Sequence, residues 1–198
     1  MNPTRTPAPI AQGSGGERLP LPPLAAMTEA QRAATQALID GPRKAVYGPF
    51  VPLMQVPALL ERVAALGEAL RFGGQLPAAV RELATCVAAR HVGNQFEWVM
   101  HVPLAQAAGV PPAALEAIRT GGAPQGLAPD AQLAHDFARE LLATHDVDDA
   151  CYQQAIAAFG EAGVVELTTL VGYFVMVSWV MNVARTPSRP TAEVLPLP

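Results

Sequence analysis

The chain has 198 residues, of which 51% are hydrophobic and 15% charged, a composition that excludes global disorder and suits one domain or a compact pair of half-domains. Thirteen Lys+Arg against seventeen Asp+Glu give a net charge of -4, with neither the basic surplus nor the basic stripe of a nucleic-acid binder. Two cysteines, Cys86 and Cys151, are too few for a disulfide framework or a Cys-based zinc site, and there is no Cys-x-x-Cys redox pair.

The N-terminal stretch lacks the apolar core of a secretory signal, so a reducing, cytoplasmic setting is the expectation. Six of the 20 prolines lie in residues 1–23 and four in 187–198. Proline has no amide donor and blocks helix interiors, so both ends read as extended or disordered arms flanking a single all-α domain over 24–186. Within it, Thr28 caps a helix ending at Asp40-Gly41-Pro42. A second helix runs from Pro57 to Leu70 and stops at Gly73-Gly74. A third starts at Pro77 and stops at Gly93, and a fourth follows Asn94 and stops at Gly109. Pro111-Pro112 start a short fifth helix. Asp130 opens a sixth, and Asp148 or Asp149 opens a seventh ending near Gly160. The last spans 164–184. Apolar residues recur at helical spacing and alternating β-branched runs are nearly absent, so the fold class is all-α.

The 164–184 helix is long enough to span a bilayer, but Glu166, Thr168, Thr169, Ser178 and Asn182 interrupt it and no basic flank orients it. It reads instead as a central helix buried on most sides, with no membrane partner. RELATCV at 81–87 and VELTTLV at 165–171 share Glu, Leu, Thr and Val in register, which suits two related helical halves.

Candidate chemistry concentrates at 82–101. Asn94, Glu97 and His101 fall at i, i+3 and i+7 on one helix face. A Glu97–His101 hydrogen bond would raise the imidazole pKa and fix its tautomer, as a proton-transfer pair requires. Asn94-x-x-Glu97 is equally a capping box, in which Asn accepts an early amide and Glu reaches back to the cap. Glu82 lies between Val80 and Leu83 and is either exposed or buried with a partner. Arg90 and His91 suit the carbonyl end of their helix. Cys86 and Cys151 read as small core residues, Trp98 and Trp179 as core or interface, and His135 and His145 as solvated or helix-end groups beside Asp136 and Asp146. The helical Glu-x-x-His spacing of di-iron bundles is missing, so no metal site is expected.

The stretch from Arg81 to Ile118 resembles the carboxymuconolactone decarboxylase family, which shares its fold with alkylhydroperoxidase D. The likeness rests on Arg81-Glu82-Leu83, on Phe96-Glu97-Trp98 with His101, and on His101, Ala105 and Gly109. Upstream, Gly48-Pro49-Phe50 and Pro57 agree with longer bacterial members. In the peroxidase branch a Cys-x-x-Cys pair stands 12 and 15 positions after the Glu; here those positions hold Asn94 and Glu97. The thiol cycle therefore lacks its nucleophile and its resolving thiol, which moves the resemblance to the decarboxylase-like branch. That branch implies a cofactor-free lyase or isomerase for a small carboxylated lactone or oxo-acid, with His101 as the donor to the oxyanion or the proton source, Glu97 as its relay and Glu82 orienting it. Arg90 or Arg71 would anchor the carboxylate, with Tyr47, Phe50, Asn94, Phe96 and Trp98 lining the site. The resemblance also implies a homotrimer or homohexamer. The alternatives are a non-catalytic helical oligomer, a thiol-dependent peroxidase and a metal-binding bundle.

Overall fold

The computed structural model describes residues 16–191 and 194–196, among which there is no β-strand. Eight α-helices follow one another: α1 (Glu29–Asp40), α2 (Phe50–Leu53), α3 (Pro57–Glu68), α4 (Ala78–His91), α5 (Gln95–Ala107), α6 (Pro112–Thr120), α7 (Pro129–Thr144) and α8 (Asp149–Ala184). Their ends follow local chemistry. Thr28 and Gln31 form a reciprocal capping box at α1, and prolines occupy the first turn of α3, α6 and α7. The expected end of the second helix is a π-helical turn, Ala69–Gly73, which carries Arg71. The helix α2 was not expected, because four residues with an internal proline give no periodic signal.

The two final helices of the sequence reading join end to end in α8. At Gly160 the backbone takes φ 69° and ψ 175°, a conformation nearly reserved for glycine, so the helix axis breaks there. The α8 helix is long and apolar enough to cross a membrane, but half of its most apolar window is buried and it packs on α4 and α7.

The centre of the fold is α4, not the 164–184 segment. Every residue from Glu82 to Ala89 is buried, and α4 packs against α5, α7 and α8. Small side chains at Ala84, Thr85, Cys86, Ala88 and Ala89 let these helices approach closely. The 164–184 segment is two-faced: Leu167, Leu170, Val171, Phe174 and Val177 are buried, whereas Val165, Trp179 and Val183 are about 60% exposed. The acidic residue that interrupts it, Glu166, accepts hydrogen bonds from the Gln75 and Leu76 amides at 2.9 and 3.3 Å and so ties the loop before α4 to α8. A Cβ at Gly74 would sit 1.9 Å from the Glu166 carboxylate, so this close approach requires glycine there.

Most of the expected N-terminal arm lies outside the described residues. Within the part described, Arg18 donates from its amide to Ala184 O at 2.8 Å and from Nη1 to Val183 O, so this strand of chain is docked. In the C-terminal tail, Leu195 is buried and its amide donates to Gln95 Oε1 at 2.8 Å. Proline blocks helix in both tails, but it does not prevent docking through the remaining amides.

Candidate active site

Helices α4 and α5 pack side by side after the chain reverses at Gly93, which has φ 63°. That reversal sets Glu82 of α4 opposite His101 of α5. His101 Nδ1 lies 2.6 Å from Glu82 Oε2, and His101 Nε2 lies 3.2 Å from Glu97 Oε2, one turn back on its own helix. All three side chains are buried. The edge of Phe174 closes on the imidazole, ring centroids 4.9 Å apart. Arg81 Nε stands 3.5 Å from the second Glu82 oxygen.

The electrostatics follow from this sandwich. Burial opposes the imidazolium, but the hydrogen bonds and charges of Glu82 and Glu97 outweigh it, and the His101 pKa lies above its ordinary 6.5. Burial likewise opposes the Glu82 carboxylate, but the bond and charge of His101, with Arg71 and Arg81 beyond, pull its pKa below the ordinary 4.5. Both directions describe one state, an imidazolium held by carboxylates. Each ring nitrogen turns to a different carboxylate on opposite sides of the ring, so the trio does not converge on one point as metal ligands would.

The capping-box reading holds for half of the motif. Asn94 Oδ1 accepts the Glu97 amide at 2.8 Å, and Asn94 Nδ2 donates to Ser178 O and Asn182 Oδ1. The Glu97 carboxylate does not return to the cap; the Asn94 amide donates to Ala89 O instead. Glu97 is thereby released for His101.

His101 and Glu97 line a narrow cleft of about 40 Å³ with Tyr47, Phe50, Phe96 and Arg71. Gly48 (φ 58°) lets the Tyr47–Phe50 turn reach this wall, for a Cβ there would fall 2.6 Å from Phe96. Three expected lining residues lie elsewhere. Arg90 projects from the far end of α4 and donates Nε to Arg119 O at 2.7 Å. Asn94 is fully used as cap and tether to α8. Trp98, 1% exposed, lines the side of α5 that faces α6 and does not reach the cleft. Sequence reasoning missed Arg43 and Tyr173, which also face the cleft. Arg43 is committed to the Glu68 carboxylate and Ala64 O, and lies over the Phe50 ring. Arg71 makes no hydrogen bond to the described residues, and its Nε is buried without a partner. Burial chiefly pushes the Tyr173 hydroxyl up to about 12, so it remains a donor at neutral pH. No local motif marks Arg43 or Tyr173; only the fold brings them in.

Residues 57–140, which contain the whole trio, match the family described as Carboxymuconolactone decarboxylase family. This stretch belongs to that family. The carboxymuconolactone decarboxylase segment sits within a fold similar to the alkylhydroperoxidase AhpD core of an uncharacterized peroxidase-related protein from Ralstonia eutropha JMP134. The TM-score is 0.70 at 20% identity, covering 89% of this chain and 93% of that one, which establishes a shared fold. No curated protein matches the chain. Thiol chemistry finds no support at the family site. Cys86 is fully buried, and burial, then Glu82 and Glu97, drive its pKa well above the ordinary 9.0. Cys151 is half-buried rather than core, and burial with Glu140 raises it to about 11.

Proposed function

We propose that the protein is a cofactor-independent decarboxylase, or a related lyase or isomerase, acting on a small carboxylated lactone or oxo-acid. The observation that supports this reading is the imidazolium of His101, held between two buried carboxylates and facing a cleft that also holds Arg71. In the proposed reaction the Arg71 guanidinium, which makes no hydrogen bond to the described residues, takes the substrate carboxylate. The carbon–carbon bond to that carboxylate breaks, carbon dioxide leaves, and its electron pair remains as an enolate. His101 then gives its Nε2 proton to carbon, and Glu97 returns a proton from solvent to the ring. Glu82 keeps Nδ1 protonated and the ring aligned, and the Tyr173 hydroxyl is a donor for the enolate oxygen. The cleft holds about three waters at roughly 10–15 Å³ each, so a ring-sized substrate enters with the Phe96, Met100 and Leu104 rim displaced. We place this activity in a homotrimer or homohexamer in the cytoplasm, with a small-molecule partner only.

The test is carbon dioxide release from a panel of carboxylated lactones and β-oxo acids. On any accepted substrate, His101→Ala and Glu97→Gln are each expected to lower kcat by about 10²–10⁴ with circular dichroism unchanged. Full turnover by His101→Ala would overturn the assignment. The narrowness of the cleft favours one other reading, a non-catalytic helical oligomer. It predicts that both substitutions shift the melting temperature and that the panel yields no carbon dioxide.

A further inference from the structure

A larger cavity than the His101 cleft lies elsewhere. Between the C-terminal end of α4, the end of α6 and the face of α7 is a hollow of about 280 Å³, against about 40 Å³ at the His101 cleft, and the two share no lining residue. Its charge is one-sided. Arg90, His91, His135 and Arg139 line it and no acidic residue does, although the chain as a whole carries a net charge of -4. Its remaining wall is apolar, from Val87, Ile118 and Leu142, and its floor is the Gly121–Gly122 backbone.

The two guanidiniums are not consumed by the fold. Arg139 is exposed and makes no hydrogen bond or ion pair with the described residues. Arg90 spends only Nε, on Arg119 O, and its Nη2 stands 3.6 Å from where a Cβ on Gly121 would be, so the glycine leaves the guanidinium uncovered. His135, expected at the surface, is 2% exposed; Asp136 Oδ1 engages its Nδ1 at 2.8 Å and leaves Nε2 without a partner among the described residues. Asp136 itself faces solvent and does not line the hollow. The His91 pKa is lowered by partial burial and then by the charges of His145 and Arg90.

We propose that this hollow is a second ligand site, for a small organic acid whose carboxylate lies between Arg90 and Arg139 and whose apolar body rests on Val87, Ile118 and Leu142. Bidentate guanidinium contacts suit a planar carboxylate, and the apolar wall gives a hydrocarbon body more than a bare anion would gain. Because α4 carries Glu82 near one end and Arg90 near the other, the two sites share a rigid rod. The proposal does not depend on the reaction assigned to His101.

The experiment is a titration of the full chain with benzoate, followed through the ring resonances of its four histidines. The expected result is movement of His91 and His135 with His101 unmoved. Benzamide, the neutral isostere, should leave all of them in place, and inorganic phosphate should bind more weakly than benzoate. Arg139→Gln, a surface change without a lost ion pair, should weaken benzoate at least about tenfold, the loss of one charge-assisted hydrogen bond. Equal binding by Arg139→Gln, equal shifts with benzamide, shifts confined to His101, or no shift at saturation would each overturn the site. Phosphate binding tighter than benzoate would overturn the organic-acid class.

Discussion

At the scale of single residues, the decisive feature is that one imidazole has two carboxylates. A carboxylate buried alone would protonate, and an imidazole buried alone would stay neutral. Placed 2.6 Å apart, Glu82 and His101 hold each other charged, and Glu97 adds a second acceptor on the other ring nitrogen. This has a signed pH consequence. His101, raised in the folded protein, adds stability that is full below 6.5 and is lost as pH rises through its higher folded value. Glu82, lowered, adds stability that is full above 4.5 and is lost as pH falls through its folded value. Glu82→Gln should therefore cost about 1–3 kcal/mol between pH 4.5 and 6.5, and less on either side. Urea unfolding of both proteins across pH measures this. A difference that stays flat with pH would mean that Glu82 is not charged against His101.

At the scale of elements, the site depends on where helices stop. Gly93 ends α4 and Asn94 starts α5, and this two-residue reversal brings Glu82 and His101 together across 19 positions of sequence. Asn94 also ties that corner to α8 through Ser178 and Asn182, so its three side-chain hydrogen bonds serve position and not substrate. The other decisive break is in α8. Gly160 turns one periodic apolar run into two helices, of which the second packs on α4. A Cβ at Gly160 would meet nothing within 4 Å, so Gly160→Ala tests backbone strain alone. Its expected cost is about 1–3 kcal/mol, read as a lower midpoint in urea with an unchanged slope. No destabilisation would show that α8 tolerates a straight or differently bent path.

At the scale of the whole molecule, the apolar surplus is only partly absorbed by the core around α4. Val165, Met176, Trp179 and Val183 form an exposed stripe along one face of α8, at helical spacing. This stripe is the surface on which the proposed homo-oligomer would close, burying residues that the single chain leaves in water. Trp179→Asp is expected to lower the sedimenting mass while the far-ultraviolet spectrum is retained. An unchanged mass would place the interface elsewhere. Charge is also uneven at this scale: an acidic chain keeps Arg71 at one cleft and Arg90 with Arg139 at a second hollow.

What the amino-acid order determined by itself was local. Caps, prolines, glycines and a 3.6-residue period are short-range constraints, so the all-α class, the helix starts and the Glu97–His101 pairing on one face were legible without coordinates. The register with Glu82 came from the family resemblance, and the short α2 left no periodic trace. Only tertiary packing decided that α4 is the centre, that Arg71 shares the cleft with the imidazole while Arg90 and Trp98 do not, and that Arg43, Tyr173 and His135 are buried beside cavities. Which side of a helix meets which neighbour depends on how several helices share one volume, and no window of sequence contains that information.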